Sequence, residues 1–288
     1  MIALFALVSL GLFAGLILDA TDDDQDPTAE GEDLSGTEEG DVLTGTDLDD
    51  TIHGGDGSDA ITGGGGDDWL RGGSDQDVLI GEEGNDSITG SLGADWLQGD
   101  QGQDTLNGGF GGDGLYGGEG SDIMLGGAGD DVLSGVVMYE IAEDQAADAL
   151  EDIQDGFGVR MTPYFSSVSD DGDSDTLLGG DGHDTLIAGD GDILTGGGGS
   201  NDFITGAWAQ GNDLAVITDF DLDEDAVLYY YPESEEAPDL TVTSEENGSG
   251  GQDSTLYADG VSIMRINDTD GLFSVDVHVR LRATAAEI

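Results

Sequence analysis

The sequence predicts an all-β chain: a parallel solenoid of nonapeptide repeats with a β-rich C-terminal region, one inserted amphipathic helix and an N-terminal apolar helix. Three observations carry this. Glycine recurs every ninth residue from Gly36 through Gly45, Gly54 and Gly63 to Gly135 without a gap. In that frame the sixth position is Asp in every unit from Asp41 to Asp131, and the eighth is Leu, Ile or Met. The chain also sets 65 Asp and Glu against 5 Lys and Arg, a net charge of -60. Such self-repulsion asks for bound cations, and without the repeat the same composition would read as disorder. It also excludes nucleic acid as a partner, because phosphate recognition needs a basic footprint.

Taken in order, the chain opens with Ile2–Leu18, an unbroken apolar or small run without a basic flank. It reads as a membrane anchor, or a signal segment if cleaved, occupying 1–19; the membrane is then a partner only through residues 2–18. An acidic linker, 20–35, follows. There is no cysteine, so neither disulfides nor thiolate metal sites are available.

The repeats occupy 36–135. Glycines at positions one, two and four permit turns with positive φ, and the D-x-U-x segment is a short strand with one side chain inward. One unit cannot bury its aliphatic residue alone. Two units make a coil of 18 residues, and stacked coils give two parallel sheets across a thin core. Aspartates 18 apart then form two ladders: Asp41, Asp59, Asp77, Asp95, Asp113 and Asp131 on one side, and Asp50, Asp68, Asp86, Asp104 and Asp122 on the other.

This G-G-x-G-x-D-x-U-x pattern resembles the repeats-in-toxin (RTX, hemolysin-type) calcium-binding β-roll. The resemblance implies several bound Ca²⁺ ions, with carbonyls at positions two and four, such as Gly55, Gly57, Gly64 and Gly66, among the ligands. The spacing agrees on independent grounds. Carboxylates about 4.8 Å apart repel by about 0.9 kcal/mol in water and more near a protein surface. Calcium takes oxygen at about 2.3–2.6 Å and so bridges two rungs, whereas magnesium wants shorter, octahedral contacts and zinc wants His or Cys. The first two units depart most, with Thr37 and Thr46 at position two, so ions at Asp41 and Asp50 are not expected; Glu82, Ser91 and Asp100 also replace glycine at that position.

After Asp131 the count breaks for an insertion, 136–171, in which Ala142, Ala146, Ala149, Leu150, Ile153 and Phe157 recur at helical spacing. The helix is expected to cover Ile123 and Leu125, an outward aliphatic pair just before it. Repeats resume at 172–206, with Asp175 and Asp184 nine apart and Asp202 expected as the rung 18 after Asp184. Alternating runs such as DAVLYYY and VDVHVRLRA make 207–288 β-rich, and the acidic turn in VITDFDLDED is a further candidate calcium site.

The sequence contains no H-E-x-x-H, G-x-S-x-G or Walker motif, and His53, His183 and His278 are isolated, so an enzyme is not expected. The expected function is a calcium-stabilised structural or surface module outside the cytoplasm, secreted or anchored. The alternative is an adhesin or secreted effector whose site lies in 207–288. The expected metal residues are Asp59, Asp68, Asp77, Asp86, Asp95, Asp104, Asp113, Asp122, Asp131 and Asp184, with Gly55, Gly57, Gly64 and Gly66.

Overall fold

The computed structural model describes residues 17–19, 31–136, 170, 172–209, 213–232 and 236–284. Among these, strands alternate between two sheets of 11 and 12 strands, and as far as Ala226–Pro232 each strand pairs in parallel with the one two positions on in sequence. A step of 18 residues thus becomes one rung: Ile61 lies beside Leu79, and Leu70 beside Ile88. The inner strands, such as Thr51–Asp56, Ala60–Gly65 and Trp69–Ser74, run from position seven to position three of the next unit. They are longer than the D-x-U-x segment, because the glycines of positions one and two stay in the ladder. The turn is confined to positions four to six.

Position eight points inward throughout. Leu43, Ile52, Ile61, Leu70, Leu79, Ile88, Leu97, Leu106, Leu115, Met124 and Leu133 are fully buried and belong to one core cluster. That cluster continues through Leu177, Leu186, Leu194 and Phe203 to Leu256 and Phe273, so the C-terminal strands extend the same core. Ala215–Ile217 and Ala226–Pro232 add to the two sheets in parallel. The 12-stranded sheet then finishes with antiparallel pairings among Val261–Ile266, Gln252–Ala258 and Leu240–Glu246.

The repeat register crosses the insertion intact: Ile123 pairs with Thr176 and Val132 with Thr185, as if the intervening residues were absent. The expected amphipathic helix falls on 137–169, outside the described residues. Most of the N-terminal apolar run also lies outside them, and its described end, Ile17–Asp19, is a strand paired with Val42–Thr44 rather than helix. Among the described residues the only helix is one turn, Val275–His278, and none is long and apolar enough to cross a membrane.

The two outer faces differ. On the 11-stranded sheet the outward side chains of the middle strands are buried, Val78 and Ile80 completely, and Trp96 stacks on Tyr116 at 4.4 Å. On the 12-stranded sheet the outward residues are open, and Trp69 and Ile123 are each 45% exposed. Ile123 is thus open and Leu125 only partly buried, and the helix expected to cover them lies outside the described residues. The buried outer face belongs to the other sheet.

Because position eight has no second layer behind it, Leu97→Ala is expected to cost about 2–5 kcal/mol in denaturant unfolding of the cation-loaded chain. Leu92→Ala, at a side chain 52% exposed, should change stability by no more than about 0.5 kcal/mol.

Candidate metal centre

Each turn delivers its position-six aspartate beneath the next coil. The backbone N–H of one rung donates to Oδ1 of the following rung: Asp59 to Asp77 at 2.8 Å, Asp68 to Asp86 at 2.8 Å, Asp77 to Asp95 at 2.9 Å and Asp95 to Asp113 at 2.8 Å. The contact survives the insertion, where Asp122 N–H donates to Asp175 and Asp131 N–H to Asp184, each across 53 residues. The structure thus brings all ten expected aspartates into two continuous ladders.

The second oxygen behaves differently. In Asp59, Asp68, Asp77, Asp86, Asp95, Asp104, Asp113, Asp131 and Asp184 it is buried and accepts no hydrogen bond among the described residues. An ionised carboxylate with a dry oxygen is costly unless a cation compensates it. The oxygen lies against the position-one glycine of its own unit: a Cβ on Gly54 would stand 2.1 Å from Asp59 Oδ2 and 2.7 Å from the Gly72 carbonyl. Gly63 repeats this with Asp68 at 2.2 Å and the Gly81 carbonyl at 2.9 Å. Position one is therefore glycine because carboxylate and carbonyl oxygens converge there. The family resemblance implies ligand carbonyls at positions two and four only.

Gly55, Gly57, Gly64 and Gly66 hold left-handed backbone, with φ of 124°, 94°, 112° and 105°. Their unit-to-unit repetition lines carbonyls along the edge of the stack; for instance, the Gly66 carbonyl faces the α-carbon of Gly84. Among the described residues no three His, Cys, Asp or Glu side chains form a metal-binding group. A cation held here takes its remaining ligands from backbone carbonyls, which suits a hard ion with many oxygen ligands. The chain's residues fit calcium by this test.

Burial raises the rung carboxyls far above the ordinary aspartate value. Asp77 is pushed up to about 9, and Asp68, Asp95 and Asp104 to about 8. Asp59 and Asp131 reach about 7, and Asp86 and Asp113 about 6. Loss of water is the leading cause in each, the accepted N–H partly offsets it, and for most of them neighbouring carboxylates add to the rise.

The ladder ends depart from the expected count. Asp184 N–H donates not to Asp202 but to Asn201 Oδ1 at 3.0 Å, and Asn201 N–H donates to Asp225 at 2.8 Å. Asp202 instead occupies position seven beside Thr185. The signal was Phe203: as the inward residue next to Leu186 it makes Asn201 the sixth position. On the other ladder Asp175 N–H donates to Asp192 at 2.9 Å. In the acidic turn, Asp219 caps the Gly196 and Gly197 N–H groups and Asp225 accepts from Asp221, so those carboxylates hold the backbone.

One comparison with known proteins bears on this arrangement. The family model for the RTX calcium-binding nonapeptide repeat matches residues 35–70, 44–79, 80–115, 116–135 and 169–203. Among solved structures, the chain is similar to extracellular lipase LipA from Serratia marcescens at 15% identity, with a TM-score of 0.22. That likeness covers 88% of this chain, which spans 40% of the lipase chain. No curated protein matches.

Two outcomes follow. Relative to an unfolded value of 3.8, the raised carboxyls make the metal-free fold bind more protons than the unfolded chain. Metal-free stability should therefore fall as pH rises from about 4 to about 9. Calcium requires the carboxylates ionised, so its binding should release protons near neutral pH and progressively fewer above about pH 9, as read by calorimetry in buffers of different ionisation enthalpy. Separately, Asp86→Asn keeps the Oδ1 acceptor but removes the charge and should weaken calcium binding by about tenfold or more, roughly 1.4 kcal/mol. Asp50→Asn should leave calcium affinity unchanged.

Proposed function

We propose, for a chain whose residues 35–135 and 169–203 match the RTX calcium-binding nonapeptide repeat, that it is a calcium-stabilised structural or surface module acting outside the cytoplasm, and not an enzyme. The observation that carries this is that, among the described residues, the buried Oδ2 atoms of Asp59, Asp68, Asp77, Asp86, Asp95, Asp104, Asp113, Asp131 and Asp184 accept no hydrogen bond. Calcium ions between coils would be held by these oxygens together with carbonyls such as those of Gly55, Gly57, Gly64 and Gly66. The bound ion supplies positive charge where the fold has buried negative charge, so folding and binding become one equilibrium.

Placement outside the cytoplasm follows from the same chemistry. Extracellular calcium modules bind at about 10⁻⁴ to 10⁻³ M, a range in which calcium acts as a folding cofactor outside the cell. The non-enzymatic reading is supported by the histidines, each of which has a structural neighbour. His53 meets the Trp69 ring edge-on, His183 accepts from Ser200 N–H, and His278 stacks on Phe273.

The test is far-UV circular dichroism of the chain during calcium titration. β-signal should develop cooperatively with calcium and disappear in excess chelator at low ionic strength. A fully β-structured, cooperatively folded chain in chelator would overturn the proposal.

A further inference from the structure

The chain departs from glycine at position two in five of its units, and the structure sorts those departures into two kinds. Glu82, Ser91 and Asp100 keep the left-handed backbone, with φ of 79°, 95° and 75°. The rung aspartates four residues after them, Asp86, Asp95 and Asp104, each bury an Oδ2 that accepts no hydrogen bond among the described residues. The units with glycine at position two behave the same way. Gly55, Gly64, Gly73, Gly109, Gly127 and Gly180 all have positive φ, and they precede Asp59, Asp68, Asp77, Asp113, Asp131 and Asp184.

Thr37 and Thr46 are the other kind, outside the left-handed region. A β-branched residue pays a steric penalty there that Ser, Asp or Glu escapes in part. Their strands, Asp33–Ser35 and Val42–Thr44, stop short of position one. Their N–H groups point at the rung instead: Thr37 donates to Asp41 Oδ2 at 2.6 Å and Thr46 to Asp50 Oδ2 at 2.6 Å. The threonine hydroxyls reach the same oxygens at 3.0 and 3.1 Å. At the far end of each ladder the backbone does this again, with Gly189 N–H on Asp192 Oδ2 and Asp221 N–H on Asp225 Oδ2, both at 2.8 Å.

We infer that the backbone handedness of position two decides which rungs take a cation, and that Thr37 and Thr46 are built-in substitutes for the ion that close the array at its N-terminal end. The inference rests on the calcium reading above. A left-handed residue of any type turns its N–H away and leaves Oδ2 for a cation. A residue outside the left-handed region, as Thr37 and Thr46 are, supplies the N–H and removes the need. The side chain of Glu82 or Asp100 matters less than the turn it adopts.

The test counts calcium ions per chain by equilibrium dialysis and native mass spectrometry, on the full chain. Thr46→Gly restores the left-handed turn and should add an ion. Glu82→Gly should leave the count unchanged, and Glu82→Thr should lower it. Should Thr46→Gly fray the first coils, Glu82→Thr against Glu82→Gly still decides. An unchanged count in both Thr46→Gly and Glu82→Thr would overturn the inference, as would loss of an ion in Glu82→Gly, which would assign the effect to the carboxylate. Absence of calcium from the unsubstituted chain would instead defeat the calcium reading itself.

Discussion

Everything in this fold depends on a divided carboxylate. Each rung aspartate gives Oδ1 to the N–H of the neighbouring coil, which fixes the coil spacing and the 18-residue step. In the interior of the array the same burial leaves Oδ2 dry beside the position-one glycine. One oxygen builds the stack and the other makes the stack dependent on something positive. The raised carboxyls, most of all Asp77 and its neighbours, report the same conflict in electrostatic terms. On the function proposed above, a hydrophobic core only one aliphatic residue deep on each side does not outweigh it at neutral pH without a cation.

The ends of the array resolve the conflict without an ion. Asp41 and Asp50 at one end, and Asp192 and Asp225 at the other, receive a backbone N–H on the oxygen that is left dry in between. The cation-dependent part is thereby bounded by rungs that the chain satisfies by itself. Terminal repeats of solenoids are atypical for this general reason.

Much of this was legible from the count of nine. The paired sheets, the inward Leu and Ile residues, both aspartate ladders and the resumption at Asp175 follow from periodicity, because a parallel stack converts sequence spacing directly into adjacency. The rung at Asn201 was missed because Asp202 keeps the 18-residue step from Asp184. The stack, however, selects register by the inward residue, Phe203, and an amide oxygen serves the neighbouring N–H as well as a carboxylate does. The difference between Thr46 and Glu82 was also hidden, since both read as a lost glycine. β-branching was the available signal, and only the backbone angles gave it meaning. The buried outer face of the 11-stranded sheet had no comparable signal, because outward positions carry no obligatory period.

The most direct test is a crystal structure of the calcium-loaded chain, with anomalous scattering used to place the ions. The account predicts calcium at about 2.3–2.6 Å from Oδ2 of interior rungs such as Asp77, Asp86 and Asp95, and none on Asp41 or Asp50. Ions bound away from those oxygens, or seated equally on Asp41 and Asp50, would contradict it.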